Sequence, residues 1–192
     1  MCAVMQEDWI AWHRITVGEY YRMAEVGLLA PEARVELIDG VIIDMAPIGS
    51  RHAGTESQLG ELLAEAIGTR AILRMQSPIR LSRSSEPQPA LALFKRRRDF
   101  YKTAHPTAKD SLLVIELSET TLRYDREIKV PLYARYGIPE VWIVDLVGGQ
   151  IHFFRSPEAG KYSDVSSTKE PGVVALAALS DVTVDLSGIL SS

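Results

Sequence analysis

Apolar and polar positions change period several times along this chain, and each change marks an element. In ITVGEYYRMAEVGLL the apolar residues recur at helical spacing, with Thr16 placed as the N-cap and Glu19 three residues later to complete a capping box. After Pro31 the register changes, and ARVELIDGVIIDMAP predicts two strands turning at Asp39-Gly40. RHAGTESQLGELLAEAIGTR returns to helical spacing, with Leu59, Leu62, Leu63 and Ile67 forming one stripe and polar residues the other face. Ile72 to Leu81 reads as a strand interrupted at Pro78, and Ala90 to Phe94 as a short strand fed by the loop SSEPQP. SLLVIELS is short and almost wholly apolar, the pattern of a strand buried on both faces.

The stretch LRYDREIKVPLYARYGIPEVW predicts a helix up to Tyr136, stopped by Gly137 and Pro139. Pro131 either sits in that helix's first turn or kinks it. VWIVDL and QIHFFR flank Gly148-Gly149 as a hairpin, and the tail from Ser156 carries short apolar runs expected to form peripheral edge strands. The order of elements predicts an α/β (α+β) fold in a single domain spanning 1–192, a central mixed sheet flanked by helices with a helix and hairpin ahead of it.

Composition changes this picture little. At 46% hydrophobic and 24% charged residues the chain resembles an average folded protein, large enough to bury a core unaided. Cys2 is the single cysteine, which excludes an intramolecular disulfide and a cysteine-rich zinc site and points to a reducing, cytoplasmic setting. Glu7 and Asp8 interrupt the apolar N-terminal stretch, so neither a signal peptide nor a membrane helix is expected. A net charge of −4 argues against a protein that coats nucleic acid, though not against one that meets DNA through a local basic patch.

Candidate chemistry lies at the ends of the elements. Alternation along SLLVIELS puts Leu112, Val114 and Glu116 on one face, and a carboxylate ending such an apolar strand is costly to bury without a partner or a metal. Taken singly, each candidate also has a plain structural reading. Glu116 and Glu36 read as strand-end and hairpin carboxylates in water, Asp125 and Lys129 as a helical ion pair, His52 as a polar residue opening a helix, and Lys95, Arg96, Arg97 and Arg98 as a solvated loop.

Read in order, RVELIDG, EPQP followed by LAL, LLVIELS and YDREIKVPLYARYGIPEVWIVDL resemble the Uma-type restriction endonuclease family within the PD-(D/E)xK nuclease superfamily, from about Thr16 to about Phe154. The resemblance implies a restriction-endonuclease-like sheet of four or five mixed strands. It implies DNA as partner and magnesium or manganese as cofactor, since hard oxygen ligands suit such ions and the ion would polarise a phosphodiester. It assigns Glu36 as an N-terminal acid, Glu116 as the acid of the (D/E)xK element, Ser118 at that element's lysine position, and Lys129 as a lysine moved onto the following helix. Gln76, Glu86 and His52 stand as supporting residues, and Lys95 to Arg98 as a phosphate contact.

One position departs from the family. Ala90 stands where the resemblance places the aspartate that is the central metal ligand, leaving Glu116 and Glu36 as a weak ligand set. The expectation is a metal-dependent DNA endonuclease impaired in this chain, through natural or engineered loss, with Glu86 as a residue that could fill the vacancy. The alternative is a catalytically dead nuclease fold serving as a DNA-binding or protein-interaction module. A homodimer would be served by the hairpin carrying Phe153 and Phe154.

Overall fold

The computed structural model describes residues 11–191, so the N-terminal stretch with Cys2, Glu7 and Asp8 lies outside the described residues. Contacts within the chain gather into two units, Met1–Met45 with Ser82–Glu86, and Ala46–Leu81 with Pro87–Ser192.

In the N-terminal unit α1 spans Val17–Glu25. The expected capping box is present: Thr16 Oγ1 accepts from the Glu19 amide and the Glu19 carboxylate accepts from the Thr16 amide at 2.7 Å. Strands β1 (Val35–Ile38) and β2 (Val41–Asp44) pair antiparallel as read. Their turn has φ of 47° at Asp39 and 76° at Gly40, the two left-handed residues of a tight hairpin. Gly40 is required twice over, because a Cβ there would stand 2.5 Å from the Cβ of Arg14. Residues 82–86 line this hairpin: Gly40 donates to the Ser84 carbonyl, Asp39 to Ser85 Oγ, and the Glu86 amide to the Leu37 carbonyl.

The second unit is built on a six-stranded sheet ordered β3-β4-β5-β6-β7-β8. These strands are Ala71–Met75, Leu91–Lys95, Ser111–Ser118, Glu140–Asp145, Gln150–Glu158 and Lys161–Thr168. Only β5 and β6 run parallel, which demands a crossover. It is made by α3 (Leu122–Tyr124), a π-helical turn (Asp125–Lys129) and α4 (Val130–Arg135). Pro131 falls in the first turn of α4, where no partner is needed for an N–H it lacks. The Val130 amide reaches back to the Asp125 carbonyl, so the register is widened just ahead of the proline.

Helix α2 (Ser50–Ile67) lays Leu59, Leu63 and Ile67 onto one sheet face with Leu113, Ile115, Leu117, Trp142 and Phe153. The tail contributes more than peripheral strands. Hairpin β9–β10 (Val173–Leu176, Leu179–Asp185) adds Leu176, Val182 and Val184 to this core, and β8 makes the sheet six-stranded where four or five were expected. Phe153 and Phe154 are buried within the chain, Phe153 packed edge-on to Trp142, so the aromatic pair is part of the core. Beneath it the fully buried Glu140 accepts from Trp142 Nε1, Arg155 Nε and the Ala177 amide, a structural carboxylate with its charge matched by the Arg155 guanidinium. No helix among the described residues is long and apolar enough to cross a membrane.

Candidate active site

With Leu113, Ile115 and Leu117 committed to the α2 face, alternation turns Val114, Glu116 and Ser118 to the face under the crossover. Two hydrogen-bonded groups form there. Glu116 Oε1 accepts from the Lys129 ammonium at 2.7 Å and from the Tyr133 hydroxyl at 2.6 Å. The side chains are 6% and 3% exposed for Glu116 and Lys129, so this ion pair is buried. Its worth depends on both partners being present, because either charge alone would be buried uncompensated. One residue pair along, Asp125 Oδ2 accepts from Ser118 at 2.6 Å and from Thr121 at 2.7 Å, fixing the start of the π turn that carries Lys129. Ser118, at the expected lysine position, therefore anchors the helix, and the ammonium comes from Lys129.

Strands β4 and β5 run antiparallel with Leu91 opposite Ile115, and extending that register by one residue sets Ala90 opposite Glu116. Ala90 is buried, and its carbonyl accepts from the Gln76 amide at 2.9 Å. Gln76 has φ of 46°, which ends the alternation of β3 and lets its side chain reach Glu56 on α2, Nε2 to Oε1 at 2.9 Å. Glu56 was not among the residues the sequence singled out. It lies three residues before Leu59 and seven before Leu63, a carboxylate in the apolar stripe, and that placement was the available signal. His52 is half-buried one turn earlier on the same helix face.

The other expected acids belong to the N-terminal unit. Glu36 is 2% exposed, far from the solvated hairpin residue its position suggested. Glu86 is also buried and accepts from the Tyr21 hydroxyl at 2.6 Å. Burial first, then the charges of Glu86 and Glu36, hold the Tyr20 phenol above its ordinary pKa, which puts all three in one neighbourhood. The basic run Lys95 to Arg98 sits at the far end of β4 from Ala90, with Lys95, Arg96 and Arg98 exposed.

The donor set can be compared with what magnesium or manganese requires. Among the described residues no group of three or more histidine, cysteine, aspartate or glutamate side chains is arranged to hold an ion. Glu116 offers one carboxylate, half of it engaged by Lys129 and Tyr133, and Ala90 offers a methyl group. A hard cation that keeps its water shell needs more anionic oxygen than this, so the residues present do not fit the ion the resemblance implied.

Comparison with known proteins agrees with the architecture. No curated protein matches the chain. A crystal structure of a putative nuclease belonging to DUF820 from Anabaena variabilis is similar with a TM-score of 0.71 over 92% of this chain and 98% of that one, at 15% identity, a likeness of fold. The family described as Uma2, "Putative restriction endonuclease", matches residues 17–187, well beyond the Phe154 limit read from the motifs. That match runs from the first turn of α1 through the whole of β10, and the chain accordingly belongs to the Uma2 family of putative restriction endonucleases.

Proposed function

We propose that this protein is a DNA endonuclease scaffold whose phosphodiester-cleaving site is silenced at one position. The observation that carries the reading is the buried Glu116–Lys129 ion pair, intact at 2.7 Å at the end of β5, with Ala90 one residue beyond the Leu91–Ile115 pair of β4 and β5. In this reading Glu116 is the acid of the (D/E)xK element and Lys129 its displaced lysine, held in place by Tyr133 and the Asp125 anchor. Glu36 is assigned on the family resemblance, with Gln76, Glu56 and His52 as supporting polar groups on the α2 side. Magnesium or manganese is the cofactor of the reading, and a carboxylate at position 90 is the missing donor. The single cysteine of the sequence supports a reducing, cytoplasmic setting.

A second reading keeps the fold and drops the chemistry, leaving a DNA-binding or protein-interaction module. It is favoured by the packing of Ala90 within the apolar core cluster, which suits a settled loss of the acid. A plasmid-nicking assay with magnesium and with manganese, comparing the chain with Ala90→Asp, separates the two. Nicking by Ala90→Asp alone supports the silenced nuclease, and nicking by neither supports the module. Nicking by both shows that another acid serves the site, with Glu56 and Glu86 the groups to replace next.

A further inference from the structure

The chain is acidic overall, yet five of its cations fall within eight residues, KRRRDFYK from Lys95 to Lys102, interrupted by a single acid. Two of the cations are used internally: Lys95 donates to the Lys109 carbonyl at 2.7 Å, and Arg97 makes a two-pronged pair with Asp99. Arg96, Arg98 and Lys102 are exposed and form no ion pair among the described residues.

Between them stands Phe100, 45% exposed, with the Arg96 guanidinium over its ring at 4.8 Å. An exposed phenylalanine is ordinary. Its backbone is not: Phe100 and Tyr101 have φ of 52° and 57°, consecutive bulky residues in the left-handed region. That conformation persists only where surroundings enforce it. Asp99 accepts from the Tyr101 amide and from Thr103 Oγ1, and Arg74 donates to the Phe100 carbonyl. Tyr101 is the anchor, buried, with its hydroxyl on the Lys95 carbonyl, its ring against Phe94 and the guanidinium groups of Arg97 and Arg74 over it. The fold thus holds an apolar ring out in water, at a cost in backbone conformation, under one guanidinium and in a loop that carries two further exposed cations.

We infer that the loop 95–102 is a binding platform for single-stranded DNA, with Phe100 and Arg96 stacking on an unpaired base and Arg98 and Lys102 contacting the flanking phosphates. An aromatic face takes any base but only one that is not already stacked in a duplex, which selects single strands or frayed ends over intact helix. The inference rests on DNA being the partner in the proposed function. It adds the strandedness of the substrate and a site separate from the chemistry: five residues of extended strand, roughly 17 Å, divide Ala90 from Lys95.

The test is fluorescence anisotropy on the full chain with a labelled oligothymidylate, the same strand annealed to oligodeoxyadenylate, and oligouridylate, all in EDTA. The expected results are preference for the single DNA strand and an affinity about tenfold weaker in Phe100→Ala, with the salt dependence unchanged. Arg98→Ala with Lys102→Ala should instead flatten the slope of log affinity against log salt by about 1.4. Phe100→Trp should bind as the parent does, and its added tryptophan emission should be quenched by the oligonucleotide. The inference is overturned if Phe100→Ala binds as tightly as the parent, if duplex is preferred, or if RNA is bound more tightly than DNA. Because no metal or turnover is involved, failure here leaves the nicking result for Ala90→Asp to judge the nuclease reading separately.

Discussion

Ala90→Asp can be read without asking the protein to turn over. The new carboxylate would be buried opposite Glu116, whose own charge is met by Lys129 at 2.7 Å. With the ammonium already committed, the second carboxylate has no cation of its own, and an uncompensated buried charge costs about 3 kcal/mol or more. For a chain of this size about 1 kcal/mol moves the melting temperature by roughly 2–4 °C, so Ala90→Asp in EDTA should melt roughly 6–12 °C below the parent. A divalent ion between the two carboxylates opposes this loss. At a hundred times its dissociation constant it contributes about 2.7 kcal/mol, enough to restore most of the loss. Thermal melts followed by circular dichroism, with EDTA, magnesium and manganese, should therefore show a strongly metal-dependent Ala90→Asp and a parent that the ions leave unmoved. Lowering the pH to about 5 should narrow the gap in EDTA, because protonation of the raised aspartate removes the charge. Equal melting temperatures for both proteins, insensitive to metal, would refute the placement of position 90 against Glu116.

Two further outcomes follow from the same face of the sheet. Lys129→Met leaves Glu116 buried without its ammonium partner, and urea unfolding should show a loss of about 3 kcal/mol, at least half of it recovered by adding Glu116→Gln; independent, additive losses would mean that the ion pair is not the stabilising unit. His152, on β7 with its Nε2 buried and unpartnered among the described residues, is held below the ordinary histidine pKa by burial, then by the Arg126 charge, against the opposing pull of Asp145. A base with a depressed folded pKa is protonated first in the unfolded chain, so stability is full above the usual histidine value and is lost as pH falls from there toward the folded pKa. His152→Phe should flatten that slope between about pH 7 and 5 with little change above it, and a slope identical to the parent's would show that His152 does not titrate on unfolding.

What the sequence determined by itself is local. Thr16 and Glu19 cap a helix because the capping box closes within four residues, Asp39-Gly40 turn because both tolerate positive φ, and SLLVIELS is a buried strand because no polar side chain interrupts it until Glu116. The same locality made Glu116 and Lys129 visible as candidates. Their partnership was not visible, since it depends on a π-helical turn that aims Lys129 down at β5, and its local alternative, pairing with Asp125 along the helix, fits the sequence equally well. Ala90 was conspicuous as a missing acid, but what it faces depends on the register of β4 against β5 across a fifteen-residue connection, which no local pattern encodes. Glu56 was passed over because a helical carboxylate is ordinarily solvated, and only the left-handed bend at Gln76 gives it a partner. Phe100 was passed over because its exposure is set by Asp99 and Tyr101 fixing the loop behind it. Side-chain type and spacing are properties of the chain; which groups meet, and which are left facing water, is decided by long-range packing.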